Sequence, residues 1–381
     1  MNTFDYIIAG GGCSGLSLAW HILQHEALQD KSILIVDERL APVNDRTWCF
    51  WSSDNIPEPV PIYRTWKQLH IRVGMLDKKT ILDKLSYNCV RSGDYTEALL
   101  IDLKKYSNIH LHKGSIVEVV ERNDDVAVHT DTGKFRAGLL FDCYSKPDLS
   151  KSEYPLLQHF LGWEIETNSD TFETDCATFM DFGVKQPNGA AFMYMLPYSP
   201  HLALFEYTVF SKNVLEKKDY EDEIRRYLKK HFQVSDYNIS RTEFGVIPMA
   251  DRIFNKGTRR IIPLGMASGS PKASTGYSFS RIHRQAATMA TSLAQGKPLV
   301  ENTSPKKYRL FDLLLLHILD SDNDEYLSVF EALFRNNIFE DVLSFLDEKT
   351  GIAEDLRIMA SVPPTPFLKA IAANFLKFGS V

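Results

Sequence analysis

Residues 4–19 read Phe4-Asp5-Tyr6-Ile7-Ile8-Ala9-Gly10-Gly11-Gly12-Cys13-Ser14-Gly15-Leu16-Ser17-Leu18-Ala19. An apolar run, a Gly-x-Gly-x-x-Gly turn and a second apolar stretch predict a buried strand, a tight loop and the opening of a helix. Gly10 allows the turn, Gly12 lets a pyrophosphate approach the backbone, and Gly15 permits close packing of helix on strand. Gly11 and Ser14 complete the loop, whose free N–H groups at the positive end of a helix suit a diphosphate. Alone the pattern is weak, but its context strengthens it. A second apolar strand, Ile33-Leu34-Ile35-Val36, ends in Asp37, 22 residues past Gly15. An acid there can hold an adenosine ribose, and Glu38 beside it joins the candidate cofactor contacts. The expectation is a flavin or nicotinamide cofactor, against a glycine turn with no ligand.

Length and composition bound the rest. A chain of 381 residues is long for one core, so two intimately packed domains are expected. Hydrophobic residues at 44% and charged residues at 24% are those of an ordinary globular protein. The net charge of −6 gives no reason to expect a nucleic-acid partner. Cysteines 13, 49, 89, 143 and 176 lack metal-ligand spacing and read as reduced thiols, so no metal site is expected. The chain starts directly on its first strand, with no signal peptide expected. No stretch approaches the ~20 apolar residues of a membrane span.

The pattern along the chain predicts an α/β fold: a Rossmann-like dinucleotide-binding domain, a second domain with a mixed or antiparallel sheet, and a helical C-terminal region. Residues 1–150 form the first, with residues 44–90 irregular and rich in aromatics, a helix over 96–106 and strands at 109–112, 115–121, 126–129 and 139–142. Residues 151–255 change to longer strands (158–166, 176–182, 191–196, 203–210) and form the substrate domain, with a charged amphipathic helix over 221–231. Residues 256–300 return to the first domain. Residues 301–381 read as helical: two hydrophobic helices and a tail.

The return segment, Arg260-Ile261-Ile262-Pro263-Leu264-Gly265, leads through small residues to Ser274-Thr275-Gly276-Tyr277 and a helix. Gly265, Thr275, Gly276 and Tyr277 are the second set of candidate cofactor contacts. Their backbone N–H groups suit the pyrimidine edge of a flavin, and the helix dipole would stabilise an anionic reduced flavin. The alternative is a loop of helix caps.

With both loops in hand, the chain resembles the bacterial carotenoid (lycopene) β-cyclases, a branch of the flavoprotein monooxygenase-like superfamily. The resemblance rests on several pieces in order, spread over nearly the whole chain. They are the N-terminal loop with Asp37, Asn44-Asp45-Arg46-Thr47-Trp48-Cys49-Phe50-Trp51, Tyr194-Met195-Leu196-Pro197-Tyr198-Ser199, Leu204-Phe205-Glu206-Tyr207-Thr208, Glu243-Phe244-Gly245-Val246-Ile247-Pro248-Met249 and Ser274-Thr275-Gly276-Tyr277-Ser278-Phe279. It implies redox-neutral closure of a linear carotene ψ-end into a β-ionone ring. An acid protonates the terminal double bond, the neighbouring double bond attacks the cation, and proton loss completes the ring. It also implies reduced FAD, with NAD(P)H as its reductant, and lycopene or a related carotene as substrate.

Glu206 is the candidate catalytic acid, matching the first acid of the family's Phe-Leu-Glu-Glu-Thr-like motif. A carboxyl in an apolar strand stays protonated by desolvation and is a competent general acid. Leu204, Glu206 and Thr208 share one strand face. The alternative is an edge-strand glutamate facing solvent. Tyr207 stands where the motif has its second acid, leaving Glu243 or water to fill any role in proton removal. Glu243 reads equally as a structural ion-pair partner. Arg46, Met266 and Ala273 also depart from the family's pattern.

Trp48, Phe50, Trp51, Phe192, Tyr194, Tyr198 and Tyr277 are candidate cavity aromatics that could steady a carbocation by cation–π attraction, about 0.5–2 kcal/mol per ring. Cys13 and Cys49 read as packing residues. The apolar faces at 310–319 and at Phe367, Leu368, Ile371, Phe375 and Leu376, with Lys369 and Lys377 alongside, predict peripheral docking on the inner face of the cell membrane from the cytoplasm. A helical cap on the core is the alternative. Two rival functions share this fold: a flavin-dependent reductase or hydroxylase of isoprenoids, which would consume nicotinamide, and a prenyl-binding carrier, which would not need Glu206.

Overall fold

The opening strand Asn2–Ala9 lies at the centre of a mostly parallel sheet, because Tyr6–Ala9 are buried on both faces. The computed structural model describes residues 2–53, 59–147, 149–150, 152–187, 189–251, 257–299, 304–321 and 324–375. In this first sheet Ile109–Lys113, Ile33–Asp37, Asn2–Ala9 and Lys134–Asp142 run parallel in that spatial order. Val126–Thr130 and Ile116–Glu121 continue it antiparallel, and Ile261–Pro263 pairs parallel with Lys134–Asp142. Helices Cys13–Leu23, Ser92–Leu103 and Phe279–Ala294 cover one face, burying Leu16, Leu99 and Ala286 against Ile8 and Ile35. Ile7, Leu34, Val128 and Leu140 form a smaller core on the other.

The second sheet has the order Asn238–Met249, Leu156–Glu166, Leu202–Ser211, Ala190–Ser199, Cys176–Asp181, Gln68–Val73, Leu76–Ile81. Its pairings are antiparallel except Cys176–Asp181 with Gln68–Val73. Helix Lys217–Phe232 packs Tyr220, Ile224 and Leu228 on one face, against Phe205, Tyr207 and Val209. The other face meets the C-terminal helices Lys306–Leu319, Glu325–Asn336, Phe339–Leu346, Ile352–Ala360 and Pro364–Asn374.

Three expectations are corrected. Residues 44–90 are not irregular: they hold Thr47–Ser52, Arg64–Trp66 and Ser86–Arg91 as a small sheet and Gln68–Ile81 as a hairpin of the second sheet. The hairpin thus belongs structurally with strands far along the chain, although the expected boundary at 150 separates them. Its alternation (Leu69, Ile71, Val73 buried) is clear, but its partner lies about a hundred residues away, which short-range pattern cannot supply. The helix expected at 96–106 starts at Ser92, since Asn44 Oδ1 accepts from the N–H groups of Gly93 (2.7 Å) and Asp94 (3.3 Å). Among its described residues the C-terminal region has five helices rather than two and a tail, with breaks near Gly351 and Pro363-Pro364.

Candidate active site

The glycine loop is packed as its residues require. Gly10 has φ +110°, and a Cβ there would meet the Cys143 carbonyl oxygen at 3.0 Å. A Cβ on Gly15 would sit 1.9 Å from the Gly10 carbonyl oxygen. Gly12 faces open space, with nothing within 4 Å of its Cβ position. The helix it opens has no side-chain cap and no acid in its first turn, which leaves its N–H groups and positive end for an anion. Asp37 accepts from the N–H of Gly11 (2.8 Å) and of Arg39 (2.8 Å), so it holds the loop as well as ending the strand. Glu38 is exposed beside it. Burial pushes the thiols of Cys13 and Cys143 up to about 12, in keeping with packing rather than nucleophilic chemistry.

The return segment touches this loop. Gly265, at φ +66°, lies so close to Ser14 that a Cβ would meet the Ser14 hydroxyl at 2.5 Å. The chain then turns through Lys272–Gly276 and delivers Thr275, Gly276 and Tyr277 to the wall of a cleft of about 680 Å³. Glu206 and Thr208 form the facing wall, with Trp48, Phe192 and Tyr194 beside them. Cofactor-loop and acid candidates thus meet in one space. Gln158 Oε1 and Thr275 Oγ1, also on the wall, are buried acceptors with no hydrogen-bond partner. Of the other expected aromatics, Phe50 stacks on Phe279 (4.9 Å), Trp51 packs edge-on against Tyr277 (4.8 Å), and Tyr198 packs on Tyr63. Phe279 and Met180 line the cleft and were not singled out by pattern.

Glu206 sits on an interior strand, not an edge. Across the sheet Tyr194, Glu206, Gly162 and Glu243 lie in one row, each opposite the next on adjacent strands. Gly162 has no side chain, so the two glutamates lean over it; a Cβ there would meet Glu243 Cγ at 2.9 Å. Their carboxyls come within hydrogen-bonding reach. Glycine within an apolar strand is the one sequence signal that could have pointed to this close approach.

The charges around the pair decide where a proton resides. Arg241 Nη1 donates to Glu243 Oε2 (2.7 Å), and Arg241 Nη2 to Thr47 Oγ1 (2.9 Å), which donates to the same Glu243 oxygen (2.9 Å). Arg91 and Arg241 both bond Glu164. Two arginines thereby match two carboxylates, leaving Glu206 with the Thr208 hydroxyl (2.9 Å) and no ion pair among the described residues. Burial first, then the charge of Glu243, pushes the Glu206 pKa well above the carboxylate range. Burial also raises Glu243, against the pull of Arg241 and Thr47. The other oxygen of Glu243, Oε1, is buried without a donor unless Glu206 carries a proton. The proton therefore belongs on Glu206.

Tyr207 points the other way. Its hydroxyl donates to the Lys185 carbonyl (2.7 Å) on the helix-covered face, so an acid at 207 would not reach Glu206. Arg46 is exposed, and Met266 is 38% exposed. Among the described residues no group of three or more His, Cys, Asp and Glu is placed to hold a metal ion.

A family model described as lycopene cyclase protein matches residues 5–372. The chain belongs to that family. No curated protein matches it in sequence. Among solved structures, a geranylgeranyl bacteriochlorophyll reductase-like protein from Thermoplasma acidophilum superposes with a TM-score of 0.65 at 12% identity, over 99% of this chain and 98% of that one. A flavoprotein/dehydrogenase from Cytophaga hutchinsonii gives 0.60 at 11% identity, over 98% and 100%. A variant of the halogenase PltM, solved with FAD, gives 0.61 at 13% identity, over 94% and 86%. At such identities the likeness establishes a shared fold.

Proposed function

We propose that this lycopene cyclase family member is a lycopene β-cyclase, an isomerase that closes the ψ-ends of linear carotenes by acid catalysis. The observation that carries the reading is a buried Glu206 with no ion pair among the described residues, set beside a Glu243 oxygen that lacks any other donor, on the wall of an aromatic cleft shared with the return loop Thr275–Tyr277. Glu206 gives its proton to the terminal double bond of the ψ-end. Two carboxylates then stand together in a buried site, an arrangement that favours recapture of one proton. The pair takes that proton from the cyclised cation, the ring double bond forms, and no electrons are gained or lost. Trp48, Tyr194 and Tyr277 offer π faces to the cation in transit.

The residues fit FAD. Gly12 leaves the space a pyrophosphate needs, the helix N-terminus at Cys13 lacks an acid, and Thr275–Tyr277 place backbone and an unpartnered hydroxyl at the cleft. Gly10, Gly11, Gly12, Ser14 and Gly15 would hold the diphosphate, Asp37 with Glu38 the ribose side, and Gly265, Thr275, Gly276 and Tyr277 the flavin ring. Held there in its reduced form, with NAD(P)H as the source of electrons, FAD would supply negative charge that stabilises the cation. The exposed apolar residues Leu368 and Phe375 favour peripheral attachment to the inner membrane face. Leu376 and Lys377, expected to share in it, lie outside the described residues. The helix Lys306–Leu319 does not contribute as expected, because Leu313, Leu314, Leu316, Ile318 and Leu319 are core. Among the described residues no helix is long and apolar enough to cross a membrane.

The test is anaerobic reaction of the FAD-reduced protein with lycopene in liposomes prepared in D2O. Each ring formed should carry one solvent deuterium, with no net flavin oxidation. Oxygenated or saturated product, or nicotinamide consumed in step with product, would favour the hydroxylase or reductase instead.

A further inference from the structure

Beside the cleft, between the second sheet and the C-terminal helices, lies a hollow of about 820 Å³ counted to its open mouth. Its wall is apolar, with Phe311 and Leu315 from one helix and Val329, Leu333 and Phe334 from the next. The two charged residues that reach it, Lys272 and Asp312, are bonded to each other at 2.8 Å. The wall therefore presents an oily surface without an unpaired charge among the described residues.

Three observations join this hollow to the acid and to the outside. Met180 and Thr275 line both the cleft and the hollow. Glu206, Thr208 and Phe210 alternate onto one face of the strand Leu202–Ser211; the first two line the cleft and the third lines the hollow. At the outer end Met359 and Phe367 line the wall. Their helix-face neighbours, Leu356 three residues before and Ile371 four residues after, are 64% and 37% exposed, and Leu368 is 62% exposed. Apolar residues thus follow one another from an exposed apolar rim, along the hollow, to the strand that carries Glu206.

We infer that the hollow houses the polyene arm of the carotene whose end group lies against Glu206, and that Leu356, Leu368 and Ile371 form its bilayer-facing mouth. The inference rests on the cyclase reading and deepens it. A carotene has no polar group, so any part of it drawn out of the bilayer and left in water costs about 25 cal/mol per Å² of apolar surface. The hollow removes that cost by exchanging lipid for protein contact along the chain. It also sets specificity for length: substrates are recognised by the oily arm behind the reacting end, not by the end alone.

The test fills the hollow and measures polyene uptake rather than turnover. Val329→Trp and Leu315→Trp are incubated with lycopene-loaded phosphatidylcholine liposomes beside the wild type and Glu206→Gln. The proteins are re-isolated, and solvent-extracted polyene is counted per chain. Retained FAD and an unchanged circular dichroism spectrum identify folded protein, and Val329→Phe replaces any tryptophan variant that fails this check. Wild type and Glu206→Gln should carry polyene stoichiometrically, and the filled variants roughly tenfold less. Wild-type loading in the filled variants, or no loading of the wild type, overturns the assignment. Wild type that loads polyene yet makes no ring would sink the cyclase reading and leave the hollow as a polyene site.

Discussion

The two sheets carry two halves of one site, built by different physics. On the first, the Gly10–Gly15 loop is a backbone site: its selectivity is the absence of side chains and the direction of N–H groups, all within six consecutive residues. On the second, the Glu206–Glu243 pair is a side-chain site assembled across three strands, with Gly162 as the gap that lets the carboxyls meet. In the proposed function the first holds a charge that arrives from outside. In the same reading the second keeps a proton by denying one carboxylate a cation. Contiguous sites are tuned by shape, and assembled sites by which charges the fold leaves unmatched.

The sharpest break between the halves is expected from Glu206→Gln set against Gly15→Ala. Glu206→Gln should lower the cyclisation rate by about 10²–10⁴ while flavin stays bound, as loss of a general acid does. Gly15→Ala forces a Cβ toward the Gly10 carbonyl and should weaken flavin binding at least ~100-fold, or about 2.7 kcal/mol, measured by fluorescence titration. If Glu206→Gln lost flavin as well, the two halves would not be separable.

Next is Glu243→Gln, expected to cut the rate by roughly 10–100-fold and to reshape the pH profile. The charge of Glu243 helps raise the Glu206 pKa, so activity that needs the proton persists up to that raised value and is lost as pH rises through it. Without the charge the value falls, and the alkaline limb of kcat must move to lower pH. A limb that stays in place, or moves upward, would separate the two carboxyls functionally.

Smaller effects should follow from Gly162→Ala and Tyr207→Phe. The alanine methyl pushes into Glu243 Cγ and separates the pair, for a loss of roughly tenfold in kcat with KM little changed; a tenfold rate change is about 1.4 kcal/mol. Tyr207→Phe removes only the bond to the Lys185 carbonyl, for a stability cost of about 1 kcal/mol and unchanged cyclisation. Lost activity in that variant would return position 207 to the chemistry.

The sequence displays the first half far better than the second. Strand, loop and helix of residues 4–19 are read from local pattern because their contacts are local, and the second strand ending in Asp37 lies within reach of the same rules. The acid at 206 is visible through its motif, and Glu243 through its apolar neighbourhood. Their meeting is not visible, because it depends on the register of Leu156–Glu166 between two other strands. The hairpin at 68–81 was missed for the same cause, its partner lying far along the chain. Arg241, two residues before Glu243 on the same strand, shares its face by simple alternation, but Thr47 reaches Glu243 from a distant element that no spacing in sequence announces.

The account turns on Glu206 being protonated at neutral pH, which infrared spectroscopy of the anaerobic, flavin-reduced protein reads directly. The wild type should show the carbonyl stretch of a buried, un-ionised carboxylic acid, shifted in D2O and missing from Glu206→Gln, where Glu243 stays ionised with Arg241. Absence of that band from the wild type, or its persistence unchanged in Glu206→Gln, would contradict the account.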